Sequence, residues 1–229
     1  ESADAGPLEG LNPEQRQAVE CTARAVVIQA GPGTGKTRTL TAKIAHLVSI
    51  ENRAPGTILA LTFTNKAAKE LAGRIGKYLP AAKNENKVTA ATFHSFCLDL
   101  LRTYQGMDFT IADDDRRLEM VSRAVALATG ETAKKRAVKE IDDQISQCKQ
   151  NLLAPAADLS AVKDLPERFA RVYAAYQELC GEHNLVDFED LIFKTVDMLI
   201  HDPAVYEKIQ ARYQYVFIDE YQDLNYGQY

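Results

Sequence analysis

No apolar run in this sequence approaches the roughly 18 residues that cross a bilayer as a helix, and no secretory signal pattern is visible, so the expectation is a soluble protein. Cysteine is scarce and scattered. Cys21, Cys97, Cys148 and Cys180 show no C-x-x-C spacing, which argues against a zinc or iron–sulfur site and for a reduced, cytoplasmic protein with buried thiols in helical runs. His46, His94, His183 and His201 are equally dispersed. Excess positive charge is also missing: the net charge is −5 and the pI near 5.5, so any nucleic-acid contact has to come from a local patch. Internal repeats and low-complexity tracts are absent. What the 229 residues do have is 46% apolar composition, enough for a large α/β domain or for one domain carrying another as an insertion.

The chain is organised around Gln29-Ala30-Gly31-Pro32-Gly33-Thr34-Gly35-Lys36-Thr37. An apolar run, Ala25-Val26-Val27-Ile28, leads into it and predicts a strand; Leu40, Ile44, Leu47 and Val48 at helical spacing predict a helix after it. Glycines 31, 33 and 35 let backbone N–H groups turn inward on an anionic ligand, and the helix start adds its dipole. Lys36 is then placed for β- and γ-phosphates and the Thr37 hydroxyl for Mg²⁺. Ala30 stands where G-x-x-x-x-G-K-[ST] has its first glycine, a small departure. The competing reading is a glycine-rich turn without a ligand. Upstream, Asn12 is a good N-cap with Pro13 at the first helical position, and the Gln15 amide on that helix is either a reader of an adenine edge or an ordinary surface group. Arg38 is either close to a base or phosphate or a solvent-facing cation.

Residues 57–63 form a buried parallel-type strand, followed by a helix with the stripe Ala68, Leu71, Ala72, Ile75 and Leu79. Ligands gather at the carboxyl ends of strands in open α/β sheets, which brings in Phe63, Thr64 and Asn65. Lys66, Lys69, Arg74, Lys77, Lys83 and Lys87 against Glu70 and Glu85 make this the most basic stretch of an acidic chain. Asn65-Lys66 suggests the guanine-reading N-K-x-D motif, but Ala68 replaces the required aspartate, so guanine specificity is not expected. A third strand at 88–91 ends in Thr92-Phe93-His94-Ser95-Phe96, either a platform for bases and phosphates or core packing at a strand-to-helix junction. From about 97 to 212 the pattern is helical throughout. Asp113-Asp114-Asp115 reads as a helix cap before it reads as a metal site, and Lys134-Lys135-Arg136 as a solvated face. Phe169, Val172, Tyr173, Tyr176, Leu179 and Cys180 form a core stripe, Asp187 caps a helix and Pro203 starts another. Tyr215-Val216-Phe217-Ile218 is a strand that delivers Asp219 and Glu220, carboxylates suited to holding Mg²⁺ through water and polarising an attacking water.

Leu11 to Val19, Ala30 to Thr37, Leu61 to Leu71, Thr92 to Phe96 and Asp219 to Asp223, in that order, resemble the motif set of UvrD/Rep-type superfamily 1 DNA helicases over nearly the whole chain. The resemblance implies an α/β fold: a RecA-like P-loop NTPase domain, its parallel sheet flanked by helices, with an inserted all-helical subdomain. On that basis 11–104 and 188–229 are the first RecA-like domain and 105–187 the insertion, while residues 1–10, small, acidic and rich in Gly and Pro, read as a disordered lead-in or tag remnant. It further implies an ATP site of Gln15, Ala30, Gly31, Pro32, Gly33, Thr34, Gly35, Lys36, Thr37 and Arg38, with Mg²⁺ on Thr37 and Asp219 and catalysis by Lys36, Asp219 and Glu220. Phe63, Thr64, Asn65, Thr92, Phe93 and His94 would meet single-stranded DNA, with 3′ to 5′ translocation and action at duplex junctions in DNA repair or replication. A motor subunit of a helicase–nuclease, or a nucleotide-gated DNA-binding module without turnover, remains open. The sequence starts without methionine and stops ten residues after Asp219, as a piece of a longer chain would. A second RecA-like domain is expected to supply an arginine worth about 10³–10⁵ in rate. This stretch alone is therefore expected to bind Mg·ATP weakly, hydrolyse it slowly and not unwind DNA.

Overall fold

The computed structural model describes residues 6–31, 33–79, 87–106, 108–162, 165 and 167–229. Pro32, Lys83 and Glu85, singled out above, lie outside the described residues. The chain divides into two compact units, one of Glu1–Phe93 with Tyr206–Gln222, the other of His94–Val205 with Asp223–Tyr229.

The first unit is built on a parallel sheet of β1 (Ile58–Thr62), β2 (Thr89–Thr92) and β5 (Tyr215–Ile218), ordered β2-β1-β5. β1 is apolar at Ile58 to Leu61 and buried along its whole length, as a strand covered on both faces must be. In register, Leu61 pairs with Ala91 on one side and Ile218 on the other. Helices α1 (Pro13–Glu20), α2 (Lys36–Ser49) and α3 (Asn65–Gly76) belong to this unit. Ile44 and Leu47 of α2 and Leu71 and Ile75 of α3 close the core over Ile58 and Ala60, and Leu40, Val48 and Leu79 pack around it, the periodicity expected from the sequence. Asn12 and Gln15 form a capping box at the start of α1, with Pro13 at its first position.

The expected strand at 25–28 is not formed. Val26, Val27 and Ile28 are 45%, 77% and 40% exposed and extended without a ladder partner. An apolar run favours a strand only where an adjacent backbone offers hydrogen bonds, and neither β1, β2 nor β5 pairs with this segment.

The second unit is mostly helical: α4 (Phe93–Gln105), α5 (Asp114–Thr129), α6 (Lys135–Gln150), α7 (Phe169–Glu182) and α8 (Phe188–His201), with α9 (Pro203–Arg212) returning the chain to the first unit. Its core joins Met120, Val121 and Val125 of α5 to Ile145 of α6 and to Phe169, Val172, Tyr173, Tyr176 and Leu179 of α7. Asp113 accepts from the Arg116 N–H as the α5 cap, and Asp187 caps α8. Helix is not continuous here: β3 (Thr110–Ile111) and β4 (Leu185–Val186) pair in parallel, a ladder too short to leave an alternation in the sequence. Cys97, Cys148 and Cys180 are buried in helices, and burial pushes each thiol up to about 11. Cys21 departs from the expectation, lying just past α1 and only half-buried. The last residues rest on the end of α6: the Gly227 N–H donates to the Gln150 carbonyl at 2.9 Å, and a Cβ at Gly227 would meet that oxygen at 3.3 Å. Among the described residues no helix is long and apolar enough to cross a membrane.

Candidate functional site

At the carboxyl end of the first unit's sheet, the loop before α2 and the segment after β5 enclose a cleft of about 570 Å³. Gly33, Gly35, Lys36, Thr37 and Arg38 line it from the loop and the start of α2, Glu220 and Gln222 from the segment after β5, and Arg74 from α3. Gly35 precedes α2 with φ +91°, a left-handed conformation that turns the chain into the helix without a capping side chain. The first-turn amides, which no helical carbonyl can satisfy, therefore begin at Lys36. Thr34 closes the loop on itself, donating its hydroxyl to the Gly31 carbonyl at 2.7 Å, and Ala30 just before it is half-buried.

Residues far apart in sequence converge here. Lys36 Nζ lies 3.4 Å from Glu220 Oε2, and the Thr37 hydroxyl donates to Asp219 Oδ2 at 3.3 Å. The Asp219 N–H donates to the Leu61 carbonyl at 3.0 Å, carrying the β1–β5 ladder one residue beyond Ile218 and fixing where the carboxylate emerges. Glu220 has φ +55°, which a non-glycine residue holds only against a steric cost. Its carboxyl is held below the usual range by the hydrogen bond from Gln222 Nε2, at 2.6 Å, and then by the Lys36 charge. Gln15 donates from Nε2 to the Thr34 carbonyl at 2.9 Å and accepts from the Asn12 N–H through Oε1, so its amide ties α1 to the loop. Arg38 donates to the Glu9 carbonyl at 3.1 Å.

Among the described residues no three His, Cys, Asp or Glu side chains cluster as a metal cage. Thr37 and Asp219 present two hard oxygen donors beside open space, a set that suits Mg²⁺, which keeps several waters and takes phosphate oxygens as its remaining ligands.

The other residues expected at strand ends lie where expected, with unequal exposure. Phe63 follows β1 and is half-buried; Thr64 caps α3 through its hydroxyl, and Thr64 and Asn65 are exposed. Thr92 and Phe93 are both 7% exposed, and the Phe93 ring backs Phe63 with centroids 5.8 Å apart. Phe93 thus packs as core. In the second unit His94 stacks on Phe188, centroids 3.7 Å apart and planes 16° from parallel, while Phe188 remains 49% exposed. Burial lowers the His94 imidazole to about 4, so it is neutral at physiological pH. Nothing in the sequence marks Phe188 or Gln222, and Arg74 stands out there only as part of a basic stretch. Phe188 is in phase with the α8 stripe of Leu191, Ile192 and Thr195, three, four and seven residues on, so its sequence position reads as core and gives no sign that the ring is 49% exposed.

A sequence model described as the UvrD/REP helicase N-terminal domain matches residues 11–229. The chain belongs to this family. ATP-dependent DNA helicase UvrD1 of Mycobacterium tuberculosis strain H37Rv is 37% identical over 235 residues, covering 97% of this chain and 30% of the relative. ATP-dependent DNA helicase PcrA of Bacillus subtilis is 36% identical over 229 residues with the same coverage, and PcrA of Staphylococcus aureus strain NCTC 8325 is 35% identical over 228 residues, 97% of this chain and 31% of the relative. This UvrD/REP-type chain therefore spans about a third of the length of the relatives it matches, and its parallel sheet flanked by helices is consistent with a RecA-like helicase domain.

Proposed function

We propose that this chain is the ATP-binding N-terminal part of an ATP-dependent DNA helicase that moves 3′ to 5′ on single-stranded DNA and opens duplex junctions. The observation that carries the reading is the pairing of Lys36 with Glu220 and of Thr37 with Asp219, an amine, a hydroxyl and two acids brought to one cleft from opposite ends of the sequence. Lys36 and the first-turn amides of α2 bind the phosphates, with Gly31, Gly33 and Gly35 shaping the loop. Thr37 and Asp219 would hold Mg²⁺, which when bound supplies charge neutralisation at the phosphates. Glu220, ionised at neutral pH, accepts a proton from the attacking water. Gln15 and Arg38 flank the loop on the side of α1 and hold the base. A second RecA-like domain completes the ATP site.

Phe63 with Thr64 and Asn65, and separately His94 with Phe188, take the DNA. Each offers an aromatic face to a nucleobase, and Thr92 and Phe93 support the first set from beneath. Stacking requires no sequence preference, which suits a motor on arbitrary DNA, and each stacked base is worth about 1–3 kcal/mol, enough to grip and still release.

The test is ATP hydrolysis by the intact protein with and without single-stranded DNA, beside Glu220→Gln. DNA-stimulated turnover that falls by about 10²-fold or more in the variant, with nucleotide binding retained, is expected. Equal turnover in both proteins overturns the assignment, and nucleotide binding without turnover in the wild type points to a gated binding module. Strand displacement from substrates tailed at 3′ or 5′ ends checks the direction.

A further inference from the structure

A lysine sits at the centre of the second unit. Lys149, near the end of α6, has no exposed side-chain surface; its Nζ contacts Asp187 Oδ2 and lies 2.8 Å from Asp190 Oδ1. Tyr176 donates to the same Asp187 oxygen at 2.7 Å, and Nζ lies 5.0 Å from the Tyr176 ring centroid. Asp187 and Asp190 also bind each other's backbone, Asp190 N–H to Asp187 Oδ1 at 2.8 Å and Asp187 N–H to Asp190 Oδ2 at 3.1 Å. The next residue of α6, Gln150, donates to Glu189 Oε1 at 3.1 Å. Two consecutive residues of α6 therefore hold residues 187, 189 and 190, and the residue left between them is Phe188.

Stability alone is a poor reason for this arrangement. Desolvating an ammonium and two carboxylates costs several kcal/mol per ion, and such clusters are often no better than apolar packing of the same volume. Burial pushes the Lys149 ammonium down and the two aspartates more than offset it; for Asp187, burial pushes the carboxyl up and Lys149, Tyr176 and the Asp190 N–H leave it below the usual range. Lys149 and Asp187 are thus held charged, and their contacts are directional. Direction is what Phe188 requires. A half-exposed ring lacks the enclosing contacts that fix a core side chain, so its position follows from the backbone that carries it and from its stack on His94.

We propose that Lys149 is a positioning residue for DNA binding: by gripping Asp187 and Asp190 it sets the first turn of α8 so that Phe188 lies flat on His94 and offers its outer face to a base. This rests on the reading of His94 and Phe188 as a DNA-stacking pair.

The experiment is a double-mutant cycle on single-stranded DNA affinity in the intact protein, using a fluorescently labelled oligothymidylate, with Lys149→Met, Phe188→Ala and the two together. Phe188→Ala is expected to weaken binding by about 5- to 150-fold, the value of one stacked base. Lys149→Met is expected to weaken it by at least about threefold in the wild-type background and to add nothing in the Phe188→Ala background, with ATP affinity unchanged in every variant. Should Lys149→Met fail to fold, the isosteric neutral cluster Lys149→Met/Asp187→Asn/Asp190→Asn, which keeps a capping amide at 187 and leaves no charge unpaired, takes its place in the same cycle. Independent, multiplicative effects of the two sites, or wild-type affinity in both cluster variants, overturn the positioning role. Wild-type affinity in Phe188→Ala overturns the stacking reading beneath it, a separate outcome.

Discussion

Replacing Lys36 with methionine separates what this side chain does for the fold from what it does for a ligand. Methionine keeps the aliphatic stem and removes the charge. In the fold that charge is paired with Glu220 at 3.4 Å, the two side chains being 30% and 42% exposed. A pair so open to water contributes about 0–1 kcal/mol. Glu220 keeps its hydrogen bond from Gln222, so no acid is left stranded. For a chain of 229 residues 1 kcal/mol corresponds to about 2–4 °C, so thermal unfolding of Lys36→Met is expected within that distance of the wild type. A nucleoside triphosphate loses a charge-assisted contact worth about 1.5–3 kcal/mol, or roughly 10- to 150-fold in affinity. AMP, without β- and γ-phosphates, loses nothing. Titration of ATP and AMP with magnesium, read by calorimetry or by the ligand-induced rise in melting temperature, distinguishes these values. A stability loss above about 2 kcal/mol would make Lys36 a structural residue, and ATP affinity within threefold of wild type would remove it from the phosphate site.

Gly35→Ala is expected to cost about 1–2 kcal/mol in chemical denaturation, because φ is +91° and the new Cβ would stand 2.8 Å from Gln15 Nε2; an unchanged midpoint would refute the strain. His94 gives a pH signature. With its imidazole near 4 in the folded state and 6.5 in the unfolded, only the unfolded chain takes up this proton between those values, so the wild type loses stability relative to His94→Gln as pH falls from about 6.5 to about 4. Parallel curves for the two proteins, by denaturant titration at stepped pH, would contradict a desolvated ring. Asp113→Ala is expected to cost about 0.5–2 kcal/mol and Asp113→Asn much less, since either side chain that accepts from the Arg116 N–H still caps α5.

Much of this was legible in the sequence where the governing interactions are local. Asn12 with Pro13, Asp113 and Asp187 mark helix starts, and the stripes of α2, α3 and α7 fall on the core at the spacing written in the chain. Lys36, Thr37, Asp219 and Glu220 were legible because a phosphate loop and a carboxylate pair imply each other chemically. Features that depend on distant neighbours were not legible. Ala25 to Ile28 carries a strand composition, and whether it pairs depends on which backbone lies beside it. Phe188 reads as one more apolar residue at a helix start until its ring is found lying on His94. Lys149 reads as the solvated end of a charged helix, because nothing local announces that Asp187 and Asp190, some 40 residues on, will enclose it.

The candidate site and the aromatic pair beside the sheet share one determinant, the register of β1. Leu61 stands opposite Ala91 and Ile218, so the residues just past that level, Thr92 and Phe93 on one side and Asp219 on the other, emerge from the same edge as Thr62 and Phe63. The Asp219 N–H on the Leu61 carbonyl and the Phe63 ring on Phe93 are the two consequences. Side chains alternate along a strand, so a slip of one residue against β5 would turn Asp219 away from Thr37 and bury a charge or expose Ile218 in exchange. A slip against β2 would separate Phe63 from Phe93. β1 is buried on both faces, so a slip would exchange its apolar residues between two cores of different shape, and this is how a strand with no reacting group of its own fixes both the carboxylates and the aromatic face.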